Sequence, residues 1–137
     1  MSMRDYGFSD YGLVITKSAA YELARQIFKP DEMADWNQEK YGWYADIAEE
    51  FNLEYVFEFS GAAFRFNAAG VESECEYEYW DDIILYAPLA KLPSLVRATY
   101  QSMDEVVSEF KDGIGKYLPE DYDYLGNICH ITGTYYG

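Results

Sequence analysis

The segments LEYVFEF, residues 53–59, and VESECEYEY, residues 71–79, decide how this chain folds, because in both the side-chain character repeats with a period of two. Successive side chains on a strand point to opposite faces, so such alternation marks β-structure rather than helix. In the first segment Leu53, Tyr55, Phe57 and Phe59 alternate with Glu54, Val56 and Glu58; in the second Val71, Ser73, Cys75, Tyr77 and Tyr79 alternate with Glu72, Glu74, Glu76 and Glu78. Ser60 and Gly61 read as a break before Phe64 and Phe66, and residues 67–70 as the next turn. Residues 83–87 form a further apolar run after Asp81 and Asp82. The expectation is an antiparallel meander with one wet face.

On the N-terminal side, residues 13–16 read as a short β-branched strand, and Thr16 or Ser18 can cap a helix over residues 19–28 that Pro30 must end. Its inward stripe is Ala20, Leu23, Ala24 and Ile27. A second helical region spans residues 31–51, with Met33, Trp36, Tyr44, Ile47 and Phe51 at helical spacing and Gly42 as a point of division. On the C-terminal side, Ser102 and Glu105 have the spacing of a capping box that opens a helix through residue 117, burying Met103, Val106, Val107, Phe110 and Ile114. An acidic turn at 119–123 leads to a closing strand at 127–134. The fold class is therefore α+β: about four to six antiparallel strands in the order β-α-α-β-β-β-β-α-β, with helices packed on one sheet face.

At 137 residues the chain, 1–137, is expected to form a single domain with one real core. Half its residues are hydrophobic, and 15 Tyr, 8 Phe and 3 Trp supply enough apolar area to set against chain entropy despite the charge. No apolar run approaches the roughly 18 residues of a membrane span, and residues 1–10 lack a basic region followed by an apolar stretch. Cys75 and Cys129 both sit in apolar β-like segments and read as reduced core thiols, which fits a cytoplasmic home.

Charge is the most unusual property. Twenty-five Asp and Glu against ten Lys and Arg give a formal net charge of −15, a field that repels nucleic acid and anionic lipid and draws in basic surfaces. Acidity that serves only solubility is the plain alternative. Between residues 53 and 87, eight acids face one base, Arg65, so a quarter of the chain holds about half the net charge. Glu72, Glu74, Glu76 and Glu78 occupy alternate strand positions about 6.7 Å apart, a row roughly 20 Å long. Neighbouring unit charges at that spacing repel by about 0.6 kcal/mol in water, and glutamate is a poor strand former. Folding alone gives no reason for the row. With Glu54, Glu58, Asp81 and Asp82 it makes up the candidate partner-binding set, joined by the acidic turn at 120–123 and by Tyr79, Tyr135 and Tyr136 as amphipathic anchors.

Motifs for chemistry fail on inspection. His130 is the only histidine, which excludes His-rich zinc sites and mechanisms needing two imidazoles. Cys129 beside it points to the opposite face of a strand, so local geometry keeps the two apart. Residues 112–117, DGIGKY, have Phe110 where a phosphate loop needs its first glycine and Tyr117 in place of the metal-binding hydroxyl. Residues 121–126, DYDYLG, match only the first half of a calcium loop, with Thr132 where a bidentate Glu is required. The expectation is no catalytic residue, no cofactor and no metal.

The leading expectation is thus an acidic protein-binding module that engages a basic protein surface, in its narrower form a nucleic-acid mimic that inhibits a nucleic-acid-binding enzyme such as a restriction or CRISPR nuclease. Direct nucleic-acid or membrane binding is not expected. Two other readings stay open: a homo-oligomeric structural protein assembled through its aromatic surface, and an enzyme without a recognisable motif.

Overall fold

The sheet region predicted as three or four short strands consists of two long ones. The computed structural model describes residues 5–34, 41–67, 70–92 and 103–136. The chain runs β1 (Asp5–Ile15), α1 (Lys17–Ile27), α2 (Pro30–Ala34), α3 (Tyr41–Phe51), β2 (Glu54–Asn67), β3 (Gly70–Pro88), α4 (Met103–Asp112), α5 (Tyr124–Asn127) and β4 (Ile128–Tyr136), with 3-10 turns at Leu89–Lys91 and Ile114–Tyr117. Helices and antiparallel strands are mixed as expected. Ser60 and Gly61, however, carry β2 onward opposite Trp80 and Tyr79, and Asp81 and Asp82 lie inside β3. Ser60 and Gly61 do not end β2 because the strand is held there on both sides, by β3 and β4, and Asp81 is held by its pairing with Phe59.

The larger correction concerns the shape of the sheet. Instead of an open layer with one wet face, the strands close into a small barrel in the order β1-β3-β2-β4. β1 pairs with β4 from Asp5↔Tyr136 to Leu13↔Ile128 and with β3 from Gly12↔Pro88 to Ile15↔Leu85. The first half of β1 begins before the strand predicted at residues 13–16; Tyr6 and Phe8 alternate with Asp5, Gly7 and Ser9, and a long ladder with β4 holds the segment. Gly12 sits where β1 meets both partners, and a Cβ there would lie 2.5 Å from the Ala87 carbonyl oxygen, so only glycine allows the approach.

Closure splits the core in two. Val14, Val56, Phe59, Ile84, Tyr86, Cys129 and Ile131 come from all four strands and no helix, and fill the barrel. Leu13, Ile15, Ile83, Leu85, Ala87 and Ile128 point outward into a second cluster, covered by helical residues that include Leu23, Ile47, Val106 and Phe110. Burial on both faces is why residues 13–15 and 83–87 are unbroken apolar runs.

The alternation read in residues 53–59 fails at one residue. Glu58 adopts a left-handed φ of 51°, and the β2–β4 register slips there between Phe57↔Thr134 and Ser60↔Thr132. This extra residue is a β-bulge, which reverses the faces beyond it. Val56 and Phe59, three apart, therefore both enter the barrel, while Leu53 and Phe57 pack in the outer cluster and Tyr55 is 39% exposed. Gly133 faces the bulge; a Cβ there would stand 2.5 Å from Val56 Cγ2 and 2.6 Å from the Phe57 carbonyl oxygen.

The helices follow their sequence signals closely. Thr16 Oγ1 accepts the Ala19 N–H at 3.3 Å and caps α1, which buries Ala20, Leu23 and Ala24. Of the region predicted as residues 31–51, Pro30–Ala34 and Tyr41–Phe51 are helical, and Gly42 lies inside α3 rather than dividing it; residues 35–40, with Trp36, fall outside the described residues. α4 buries Val106 and Phe110, with Met103 and Val107 half-buried, and ends earlier than expected, at Asp112. Ser102 of the predicted capping box also lies outside the described residues. The side chain of Tyr122 ties the acidic turn to the barrel: its Oη donates to the Val14 carbonyl at 2.5 Å and accepts the Thr16 N–H at 3.1 Å.

Candidate functional site

Of the eight acids singled out in the sequence, two have described side chains. Glu54, exposed at the start of β2, pairs with Lys91 at 3.0 Å. The same ammonium donates to Asn52 Oδ1 at 3.2 Å and to the Asn52 carbonyl at 3.4 Å. Asn52, with a left-handed φ of 58°, turns the chain from α3 into β2 and so brings these oxygens together. An exposed pair of this kind is worth under about 1 kcal/mol, but it offsets the charge of Glu54 and makes that residue a weaker contributor than its sequence position implied. Glu58 is exposed on the bulge.

Glu72, Glu74, Glu76, Glu78, Asp81 and Asp82 all belong to β3, and their side chains, like those of Cys75, Tyr79, Tyr135 and Tyr136, lie outside the description. Their backbone register is informative. Asp81 stands opposite Phe59 and Glu78 opposite Ala62, but Glu74 stands opposite Phe64, so β3 advances four residues while β2 advances two. A second slip falls between Ser73, opposite Arg65, and Val71, opposite Phe66, which leaves Glu72 out of the one-to-one ladder. The four glutamates thus share one strand but not one unbroken register, and the single base of the segment is paired through its backbone beside them.

Further carboxylates are exposed on other rigid elements: Asp46, Glu49 and Glu50 on α3, Asp104, Glu105 and Asp112 on α4, and Glu120, Asp121 and Asp123 in the turn before α5. Asp123 has a structural task, its Oδ1 accepting the Gly126 N–H at 2.9 Å while its carbonyl accepts Asn127 Nδ2 at 2.7 Å. The half-match to a calcium loop is therefore a capped helix start. Among the described residues, no group of three or more His, Cys, Asp or Glu side chains is placed to hold a metal ion.

The Cys129 thiol is sealed inside the barrel, and burial pushes its pKa up to about 12. His130 points the other way, its ring stacked on Tyr11 of β1 at 4.8 Å. The two occupy opposite sides of the barrel wall. Inside it, Tyr86 Oη reaches out to Asp10 Oδ2 at 3.1 Å; burial, and then the Asp10 charge, raise its pKa well above the usual tyrosine range.

One concave feature went unseen in the sequence. A cavity of about 400 Å³ opens where α3, β3 and α4 end, walled by apolar side chains with Lys91, Glu109 and Asp112 among its polar groups. Its walls meet only through the fold, so no local signal announced it. No protein-family model, no curated protein and no solved structure matches the chain. Among the described residues, no helix is long and apolar enough to cross a membrane.

Proposed function

We propose that the chain is a non-catalytic binding protein whose carboxylate-rich surface engages a basic protein surface, acting as a nucleic-acid mimic toward a nucleic-acid-binding enzyme, with restriction and CRISPR nucleases as the first candidates. The observation that carries this reading is the concentration of Glu72, Glu74, Glu76, Glu78, Asp81 and Asp82 along one strand of a chain with net charge −15. The barrel core is built from other residues, among them Ile84 and Tyr86 of the same strand, and such a row of carboxylates serves an encounter with a basic surface.

Charge density sets a requirement. Duplex DNA carries one charge per about 1.7 Å of axis, and carboxylates on alternate strand residues repeat every 6.7 Å or so. Even an unbroken row at that spacing would supply only about a quarter of the density of the duplex, and exposed acids of α3, α4 and the 120–123 turn have to supply the remainder.

The test is a pull-down from the native host, with elution across a gradient from about 50 to 300 mM salt. An electrostatic partner leaves steeply within that window, whereas an apolar assembly does not. Replacing Glu74, Glu76 and Glu78 together by Gln abolishes capture while leaving the melting temperature unchanged or higher. Capture undiminished by the triple substitution overturns the reading.

A further inference from the structure

The cavity between the ends of α3, β3 and α4 has a volume of about 400 Å³, inside the roughly 300–1,000 Å³ range of ligand sites. Its walls are largely ring and aliphatic surface from Phe51, Leu53, Leu92, Phe110 and Tyr117. The rings of Phe51 and Tyr117 lie 5.0 Å apart at an angle of 59°, and Tyr117 is left 47% exposed. Aromatic faces beside open space are the setting in which organic cations are recognised, through attraction to the ring quadrupole.

The polar part of the wall points to the same charge. Asp112 is the last residue of α4, where the carbonyl end of the helix dipole is negative and a carboxylate adds to it rather than offsetting it. The cation in the lining, Lys91, is taken up by Glu54 and Asn52 at 3.0 and 3.2 Å. A neutral occupant leaves the potential at the mouth uncompensated, and an anion meets a protein of charge −15.

We infer that this cavity receives an arginine side chain of the basic partner, its guanidinium stacked against Phe51 and Tyr117 and ion-paired with Asp112. The inference rests on the binding role proposed above and adds a specific anchor to it. Arginine fits better than lysine because a planar, weakly hydrated guanidinium stacks on rings and pairs with a carboxylate at once.

The test uses the full chain, 15N-labelled, titrated at low salt with N-acetyl-arginine methylamide and, separately, with the citrulline analogue, which keeps the shape and lacks the charge. Expected are amide shift changes centred on residues 51–53 and 109–117, binding roughly fivefold weaker for citrulline, loss of the response in Tyr117→Ala and weakening in Asp112→Asn. Both side chains are exposed, and unchanged amide shifts elsewhere verify that the variants fold. Equal response to the two probes, shifts spread evenly over the acidic surface, or an undiminished response in Tyr117→Ala overturns the inference. The same variants then enter the pull-down. Capture that survives Tyr117→Ala and Asp112→Asn but not the triple Gln substitution removes the anchor and keeps the acidic face. Arginine binding in the cavity together with capture by the triple variant removes the acidic row and keeps the anchor.

Discussion

Tyr122→Phe isolates one hydroxyl that joins parts of the chain 108 residues apart. The variant keeps the ring, which packs edge-on against Tyr124 at 5.5 Å, and loses both the bond to the Val14 carbonyl and the bond from the Thr16 N–H. Two partly buried hydrogen bonds at about 0.5–1.5 kcal/mol each put the loss near 2 kcal/mol, a fall in Tm of roughly 6–10 °C for a chain of this length. A pH series adds a second, independent signature. Burial pushes the phenol of Tyr122 up to about 12 from its ordinary value near 10, partly opposed by the Thr16 N–H that favours the phenolate. Because the folded state holds the proton more tightly than the unfolded state, this contribution is complete below pH 10 and is lost as pH rises to 12. Two pH units correspond to about 2–3 kcal/mol. Urea unfolding followed by circular dichroism should therefore find wild type ahead by about 2 kcal/mol at pH 8 and the gap closing toward zero near pH 12. Tyr86 is present in both proteins and cancels in the difference, while a Cys129 thiolate raises the Tyr122 pKa and so delays the closing of the gap without removing it. A loss below about 0.5 kcal/mol at pH 8, or a gap that stays constant from pH 9 to 12, refutes the assignment.

Three further outcomes are expected. In a Cys75→Ser background, Cys129 reacts with a thiol reagent at pH 8 roughly a thousandfold more slowly folded than unfolded, because the thiolate is that much rarer; comparable rates would place the thiol outside the barrel. Gly133→Ala forces the β2–β4 seam apart and costs about 1–3 kcal/mol in urea unfolding, with faster amide exchange at residues 56–60; a variant as stable as its parent shows that the bulge accommodates a methyl group. Thr16→Ala costs about 1 kcal/mol through loss of the α1 cap, and Thr16→Ser restores most of it; a serine variant no better than alanine rules out capping as the cause.

Helix α1 was legible because its cap, its stripe and its stop all lie within 15 consecutive residues. The same holds for the apolar stripe of α4. The break at Ser60–Gly61 was misread because the composition of two residues says nothing about the strands that flank them on either side. The runs at 13–15 and 83–87 did carry a sign of two-sided burial, being apolar at consecutive rather than alternate positions, but such a run is equally compatible with the middle of any buried sheet. Of the candidate site, the residue types and their crowding along one strand were readable. The pairing of Glu54 with Lys91 was not, since it spans 37 residues and depends on the turn at Asn52.

By itself, the order of residues determined that the alternating segments 53–59 and 71–79 extend, that Leu23, Val106 and Phe110 are inside, and that the chain is strongly acidic. These follow from spacing and side-chain chemistry within a few turns or a few strand positions. Tertiary structure decided that the sheet closes, that Glu58 reverses the faces of β2, that Gly12 and Gly133 must lack a Cβ, and that Phe51, Asp112 and Tyr117 surround one cavity. Each of those depends on strands or helices meeting from distant parts of the chain, and hydrophobic patterning, which acts without direction, specifies burial but not the partner against which a residue is buried.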